Sequence, residues 1–318
     1  MPNYNGVWSL STQYQYAATW SADNLSPAAA LAAGRALFGA ENQNIYKIDF
    51  VTPTVARTDF GDLSVSGRSY GAAVGSSTRA VFSGGSESDN PGNVMDFVTF
   101  ATEGNATDFG DLTDGKKDHG SASNNTRGLF IAGTTGSRIN NVDYITIASA
   151  GNATDFGDAS QAKTDLHGCA SPTRAVNSGG NTGSRINNID YYTIGSTGNA
   201  TDFGDLTVAR SGTGMVSSST RGVTMGGYSS SGQSNVIDYI TIASAGNASD
   251  FGDMTEVIQV RTQVASNSIT GIGLVSSNKF DKITIASTGD ATDFGGAVAT
   301  NIGADGIGGA CNAHGGIA

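Results

Sequence analysis

Paired carboxylates recur along the chain and are its most conspicuous candidates for chemistry. The segment Asp-Phe-Gly occurs at six places, with its aromatic residue at Phe60, Phe109, Phe156, Phe203, Phe251 and Phe294. Two carboxylates of one unit, such as Asp202 and Asp205, could act as general acid and base, or could bind calcium, a hard cation that prefers clustered carboxylates. Near-identical copies are typical of structure rather than of one active site. We therefore predict no cofactor and no metal, with calcium as the alternative for these pairs.

The other reactive side chains form no recognisable catalytic set. Cys169 and Cys311 are the only two cysteines, and their spacing fits neither a disulfide framework nor a zinc site. The chain has three His, and no nucleophile and base stand in a recognisable pattern. The sequence therefore predicts a protein that is not an enzyme.

Composition favours short strands joined by turns. The 318 residues include 45 Gly and five Pro, and the formal net charge is -11. An acidic chain lacks the clustered cations that bind phosphate backbones, so we predict no nucleic-acid partner. The start, MPNYNGVWSL, does not resemble a signal peptide, and no apolar run approaches the ~20 residues of a membrane-spanning helix. The sequence predicts a soluble protein without a signal peptide or membrane insertion.

Each Asp-Phe-Gly unit ends a longer repeat. An alternating apolar segment precedes it, as in DYITIAS from Asp143, and a segment often ending in a Gly pair lies further upstream, as in AVNSGG from Ala175. Small residues come before that, as in GCASPTR from Gly168. Four strands in a period of roughly 47 residues are typical of a propeller blade. The small residues would line the axis, and the repeated Phe would fill the wedge where blades splay apart.

The repeat resembles the kelch repeat. The stretch ARSGTGMVSSSTRGVTMGG around Arg210, followed by NVIDYITIASAGNASDFGDM to Met254, has the order of that pattern: an Arg, a small inner strand, a Gly pair, a Tyr-bearing strand and an aromatic residue. Phe stands where kelch repeats usually have Trp. The Gly pair is replaced in three repeats, at Gly39-Ala40, Gly133-Thr134 and Val275-Ser276. The resemblance implies an all-β, kelch-like propeller.

Closure of the ring is predicted from the two ends. GADGIGGACNAHGGIA at the C-terminus resembles two inner strands, and GVWSLSTQYQYAATW near the N-terminus resembles two outer ones. Residues 5–21 and 304–318 would then form a shared closing blade, which removes free sheet edges. We predict one domain over residues 1–318 with seven four-stranded blades. The alternative is six blades with terminal arms.

Repeated polar residues are predicted to be structural. The Arg of the second strand is expected to pair with one Asp per blade, at Arg79, Arg127, Arg174 and Arg221. The Asn of Asn-Ala-Thr or Asn-Ala-Ser is expected in a turn rather than as a glycosylation site, at Asn105, Asn152, Asn199 and Asn247. His119 and His167 are expected at equivalent starts of inner strands, and His314 aligns with the repeated Arg.

The loops after the second strands differ between repeats, and loops on a rigid scaffold commonly carry recognition. Those of the third and fourth repeats read TTGSRINN and NTGSRINN, and that of the fifth reads YSSSGQSN. We predict contacts to a polar or anionic partner from Arg138, Asn141, Arg185, Asn188, Tyr228 and Gln233.

The N-terminal GVWSLSTQYQYAATW, followed by repeats such as NVIDYITIASAGNASDFGDM, resembles virion structural proteins of tailed phages of marine bacteria. This resemblance implies a tail-associated or receptor-binding virion component, located at the particle surface, with other virion proteins as partners. A host receptor or glycan and self-assembly within the virion are further partners that it implies. The alternative is a bacterial carbohydrate-binding or adhesin propeller with one glycan site per blade.

Overall fold

In the computed structural model, strands make up all the regular structure of the described part of the chain. The structure describes residues 34–40, 43–50, 58–87, 90–258, 263–276, 279–295 and 306–317, and no helix occurs in these ranges. The strands form small antiparallel sheets around one axis, so the predicted all-β propeller is confirmed.

The four-stranded sheets are here named blades 1 to 6. Blade 1 contains β1 (Arg35–Gly39), β2 (Asn44–Asp49) and β3 (Thr58–Asp62). Blade 2 contains, from the axis outward, β5 (Ala72–Gly75), β6 (Arg79–Ser83), β9 (Val94–Thr99) and β10 (Thr107–Asp111). Blade 3 contains β11 (Gly120–Ser123), β12 (Arg127–Thr134), β13 (Arg138–Thr146) and β14 (Thr154–Asp158).

The remaining blades repeat this order. Blade 4 contains β15 (His167–Ala170), β16 (Arg174–Ser178), β17 (Asn188–Thr193) and β18 (Thr201–Asp205). Blade 5 contains β19 (Gly214–Ser217), β20 (Arg221–Met225), β22 (Gly232–Thr241) and β23 (Ser249–Ile258), and blade 6 contains β24 (Val264–Ser266), β25 (Thr270–Ser276), β26 (Lys279–Thr284) and β27 (Thr292–Gly295). Four short strands lie beside the blades: β4 (Arg68–Ser69), β7 (Ser86–Glu87) and β8 (Asn90–Pro91) form a separate three-stranded sheet, and β21 (Tyr228–Ser229) pairs with β22 of blade 5.

A C-terminal strand closes the ring. β28 (Gly309–Cys311) is the inner strand of blade 1 and pairs antiparallel with β1, where Ala36 lies opposite Cys311. β28 also packs between the inner strands of blades 6 and 2, β24 and β5, so the inner strands form a complete circle. The described residues thus give six blades, and the predicted count of seven is not confirmed. The C-terminal residues close the ring by completing blade 1, whereas their predicted partners, residues 5–21, lie outside the described residues.

The repeated Phe fills the space between blades, as predicted. All six Phe side chains of the Asp-Phe-Gly units are at most 5% exposed. In blades 2 to 5 each ring meets the edge of an aromatic ring on the third strand, such as Tyr191 beside Phe203 at a centroid distance of 6.0 Å. Burial of one such ring contributes about 2 kcal/mol or more to stability.

Small residues on the inner strands let neighbouring blades hydrogen-bond to each other around the axis. Ser121 and Ser123 donate from their hydroxyls to the carbonyls of Ala73 and Gly75 on the preceding blade, at 2.7 and 3.0 Å. Ser217 donates in the same way to Ala170 at 2.9 Å. These hydroxyls satisfy backbone groups at the inner sheet edges, which would otherwise lack partners.

The Gly of each Asp-Phe-Gly unit makes room for the following blade. The register between β13 and β14 shifts just before Gly157, because Gly157 pairs with Val142 and Asp155 pairs with Asp143. Gly157 has φ at +141°, and a Cβ atom there would lie 2.6 Å from backbone atoms of Gly198. The next residue, Asp158, donates its N–H to Asn199 Oδ1 at 3.0 Å. Each Gly-Asn turn thus docks on the outer strand of the blade before it, and the same bond recurs from Asp62 to Asn105, from Asp111 to Asn152 and from Asp205 to Asn247.

Candidate binding face

One end of the ring carries the variable loops and the residues that precede the inner strands. We call this end the loop face and the opposite end the turn face. Backbone bridges join the two groups of residues, from Lys117 to Thr134 in blade 3 and from Thr164 to Asn181 in blade 4. The loops are therefore fixed to the inner part of the ring, and several of them lie close to the axis.

A collar of left-handed residues surrounds the axis on the loop face. Tyr70, Asp118, Asp165 and Gly212 occupy equivalent positions before four inner strands, with φ between +53° and +61°. The amides of Asp118, Asp165 and Gly212 each donate to the carbonyl of the collar residue before them, over 2.8, 2.9 and 2.7 Å. A left-handed conformation costs a non-glycine residue about 1–2 kcal/mol. The collar was not predicted from the sequence, although Asp118 and Asp165 are one repeat apart.

The two predicted arginines lie exposed on the loop face, and each contacts the following blade. Arg138 Nε donates to the Asn181 carbonyl at 2.9 Å. The Arg185 guanidinium lies over the Tyr228 ring, 4.6 Å from its centroid. The structure thus links the three predicted residues Arg138, Arg185 and Tyr228 into one band across blades 3 to 5. Gln233 is exposed beside this band, opposite Tyr228 in the hairpin of blade 5.

The two predicted asparagines have internal partners. Asn141 Nδ2 donates to Asp143 Oδ1 at 3.2 Å. Asn188 Oδ1 accepts from Lys163 Nζ at 3.2 Å, and its amide lies 3.4 Å from Asp202 Oδ1. Both side chains are half-buried and support neighbouring charges, so they lie below the band formed by the arginines.

Buried ion pairs stand beneath the collar. In blades 2 to 5 a cation two residues before each collar position pairs with an Asp on the third strand, as Arg68–Asp96, Lys116–Asp143, Lys163–Asp190 and Arg210–Asp238, at 2.5, 2.8, 2.8 and 2.5 Å. Every one of these side chains is fully buried. Burial lowers the pKa of Lys163, while the Asp190 carboxylate opposes that shift. Removal of one partner would destabilise the fold, because the other charge would remain buried and uncompensated.

In blades 2 to 5 the repeated Arg of the second strand does not pair with an Asp, contrary to prediction. Arg174 lies over the Tyr191 ring at 4.4 Å from its centroid and donates from Nη1 to the Ile242 carbonyl of the next blade at 3.0 Å. Arg79, Arg127 and Arg221 repeat both contacts. The aromatic residue that directly follows the buried Asp in each of these blades takes the cation–π contact, so the guanidinium holds neighbouring blades together without a carboxylate.

The histidine alignment was wrong by one residue. Gly120, not His119, is equivalent to His167, because each opens the pairing of its inner strand with the corresponding second-strand residue. His119 is therefore directed between blades, whereas His167 lines the axial channel. His314 lies near the turn face and contacts the Gly75 carbonyl at 2.9 Å; the place of the repeated Arg in blade 1 is taken by Arg35.

The axial channel contains two cavities. The larger, about 60 Å³, lies between the inner strands and is lined by Cys169, Cys311, His167 and His314 among small residues. Burial raises the pKa of both thiols to about 12, which leaves them protonated and unreactive at neutral pH. The smaller cavity, about 20 Å³, lies at the loop face beneath the collar.

Neither a metal ligand set nor a membrane-spanning helix is found in the described ranges. No three His, Cys, Asp or Glu side chains among the residues the structure places are arranged to hold a metal ion. The Asp of the Asp-Phe-Gly units lie along the outer strands, where Asp108 Oδ1 accepts the N–H of Gly110. A search of the same residues found no helix long and apolar enough to cross a membrane.

No protein-family profile matches the chain, and no curated protein matches it. The observed small antiparallel sheets around an axis are consistent with a kelch-like repeat fold.

Proposed function

We propose that this protein is a non-enzymatic binding module of the kelch-like type that presents its loop face to a protein partner. One observation carries the proposal: the repeated polar residues are engaged within the ring, whereas the residues that differ between blades lie exposed at one end. Arg174 and Asn199 hold neighbouring blades together, as do their equivalents. Arg138 and Arg185, by contrast, are exposed on the loop face.

The band of arginines favours a partner with anionic or polar groups. A guanidinium held in place by the next blade loses less conformational entropy on binding than a free side chain does. Arg138 is held by the Asn181 carbonyl, and Arg185 is held by the Tyr228 ring. On an otherwise acidic protein, two fixed cations on adjacent blades attract an anionic surface.

The resemblance to phage virion proteins suggests where such a module works. We propose a structural component of the virion, associated with the tail or the particle surface, that contacts another virion protein or a host receptor. A one-site-per-blade lectin is less well supported. The repeated aromatic rings, such as Tyr191, lie between an Arg and a buried Phe and offer no free face for a sugar ring.

The location can be tested on purified phage particles. Mass spectrometry should detect the chain in the particles, and immunolabelling should place it at the tail or surface. Its absence from all particles, together with saturable glycan binding by the isolated protein, would favour the lectin alternative and overturn the proposal.

The role of the loop face can be tested with matched variants in the phage. Arg138→Ala with Arg185→Ala should lower either incorporation into particles or attachment to host cells by tenfold or more. Ser149→Ala with Ser196→Ala changes exposed turn-face residues of the same two blades and serves as the control. Equal loss in both variants, or no loss in the arginine variant, would contradict a binding role for the loop face.

A further inference from the structure

Residues 312–317 follow the closing strand β28 and lie at the turn-face end of the axial channel. We call them the plug segment. The Ala313 carbonyl accepts a hydrogen bond from Ser268 Oγ of blade 6 at 2.7 Å, and His314 Nε2 lies 2.9 Å from the Gly75 carbonyl of blade 2. Ser268 has a left-handed backbone, with φ at +69°, so blade 6 holds a strained residue where it contacts the plug segment.

Two buried glycines place the plug segment against the opposite side of the ring. A Cβ atom on Gly315 would lie 2.2 Å from the carbonyl oxygen of Ser218 in blade 5, and one on Gly316 would lie 2.0 Å from that of Ser123 in blade 3. In a ring of six, blades 5 and 3 lie opposite blades 2 and 6. The plug segment therefore crosses the axis and closes the turn-face mouth of the larger cavity.

His314 holds the plug segment in place through both of its ring nitrogens. The Gly75 carbonyl can only accept a hydrogen bond, so Nε2 carries the ring proton and donates to it. Nδ1 is then the acceptor of the Gly316 N–H at 3.1 Å. Both bonds require a neutral ring, because a proton on Nδ1 would face the Gly316 N–H as a second donor.

The surroundings of His314 do not favour its protonated form. Among the described residues, no Asp, Glu, Lys or Arg lines the cavity beneath it. The other titratable residues of that wall are His167, Cys169 and Cys311. The adjoining strand β1 carries the pair Arg35–Asp49, in which the two charges compensate each other. Burial lowers the pKa of His314 below its usual value, and the bond to Gly75 opposes that shift.

Acid therefore favours release of the plug segment. In a released segment His314 would titrate near its usual value of 6.5, whereas in the bound segment its pKa is lower. Below about pH 6.5 the released form binds more protons, so its population rises by up to tenfold per pH unit until the pKa of the bound form is reached. Above this range neither form takes up a proton, and the segment stays bound.

We propose that the plug segment is a pH-sensitive closure of the axial channel: it covers the turn-face mouth while His314 is neutral, and it withdraws when His314 is protonated. Withdrawal opens the larger cavity, with His167 and Cys169 on its wall, to solvent. This inference is independent of the loop face and of the partner proposed for it.

Hydrogen exchange of the full chain, followed by NMR, tests the proposed closure. The protection factor of the Gly316 amide should be constant from pH 7.5 to 6.5 and should fall about tenfold between pH 6.5 and pH 5. His314→Gln supplies a donor for Gly75 and an acceptor for Gly316 without titrating, so it should keep this protection throughout. His119→Leu removes another buried histidine and should leave the pH dependence at Gly316 unchanged.

Thiol labelling tests whether release opens the channel. Gly316→Ala cannot keep its place against Ser123, so it should raise the rate of methanethiosulfonate labelling at Cys169 at least tenfold at pH 7.5. Gly183→Ala is the control, since a Cβ atom at Gly183 meets open space, and it should not change the rate. Peptide mass spectrometry separates labelling at Cys169 from labelling at Cys311.

Four results would overturn the inference. These are protection of Gly316 that does not change with pH, the same pH dependence in the His314→Gln protein, loss of that dependence in His119→Leu, and Cys169 labelling that Gly316→Ala leaves unchanged. The amide of Val176 in β16 shows in each variant that the ring is folded, so none of these results can be attributed to an unfolded protein.

Discussion

At the scale of single residues, each of the conspicuous repeated residues has its own physical role. Phe203 fills the space between blades, and Asn199 accepts an amide proton from the preceding blade. Gly157 has the most restrictive role, since it combines a positive φ with a close backbone approach. These roles explain why Asp-Phe-Gly and Gly-Asn recur together: each Gly-Asn turn contacts the Asp-Phe-Gly unit of the blade before it.

Replacement of this glycine tests the close approach. Gly157→Ala should destabilise the protein by about 2–4 kcal/mol, because backbone strain adds to a clash with Gly198. Gly183→Ala is the matched control, since Gly183 also has positive φ but open space at its Cβ position. Urea unfolding measures both changes. Equal destabilisation of the two variants would show that φ alone matters and that the blades are not in close contact there.

The buried histidine makes stability depend on pH. In the folded protein the pKa of His119 lies well below 6.5, so below about pH 6.5 the unfolded chain binds a proton that the folded chain does not. Stability should therefore fall with acidification, by about 1.4 kcal/mol per pH unit for this residue. His119→Leu, which places at this position the residue type of Leu166 in the next blade, should reduce that slope by one proton. Denaturant titrations from pH 7 to pH 5 give the slope of unfolding free energy against pH. The same slope in the variant and in the unaltered protein would contradict the environment assigned to His119.

At the scale of elements, the strands and their order could be predicted, but the register of polar groups could not. The alternating apolar segments and the small-residue segments indicate which residues form each strand, because burial of the sheet faces requires these patterns. The repeated Arg was predicted to pair with Asp because both recur once per blade. The observed cation–π contact depends on which side of the sheet each residue faces. A one-residue error in aligning the repeats puts a side chain on the wrong side, as it did for His119. The true partners, such as Lys163 and Asp190, are far apart in sequence and vary between Lys and Arg.

The buried ion pair of blade 4 offers an element-scale test. Lys163→Met should destabilise the protein by about 3–5 kcal/mol, because Asp190 would remain buried without its cation. Lys163→Arg should retain most of the stability, since Arg68 and Arg210 hold this position in blades 2 and 5. Thermal unfolding compares the two variants. A loss as large for Arg as for Met would show that the charge at this position does not matter.

For the whole molecule, closure fixes the loops relative to one another, and the proposed function depends on that rigidity. The sequence predicted that the C-terminal residues complete a blade, but a period of about 47 in this length is compatible with either six or seven blades. The small-residue segments are alike in every repeat, so the sequence does not show which strand pairs with the C-terminal segment. Packing in the folded ring determines that pairing. In the structure that partner is β1, and the loop-face residues Arg138, Arg185 and Tyr228 then occupy three consecutive blades of a six-membered ring.

A designed disulfide tests this closure most directly. Ala36 lies opposite the native Cys311, and both are buried. In a Cys169→Ala background, Ala36→Cys should form a 36–311 disulfide when the protein is refolded under oxidising conditions, and peptide mass spectrometry would detect it. Leu37→Cys, whose side chain points to the other face of β1, should not link to Cys311. A folded, monomeric Ala36→Cys protein without that cross-link, or equal cross-linking from position 37, would contradict a six-bladed ring closed by the C-terminal strand.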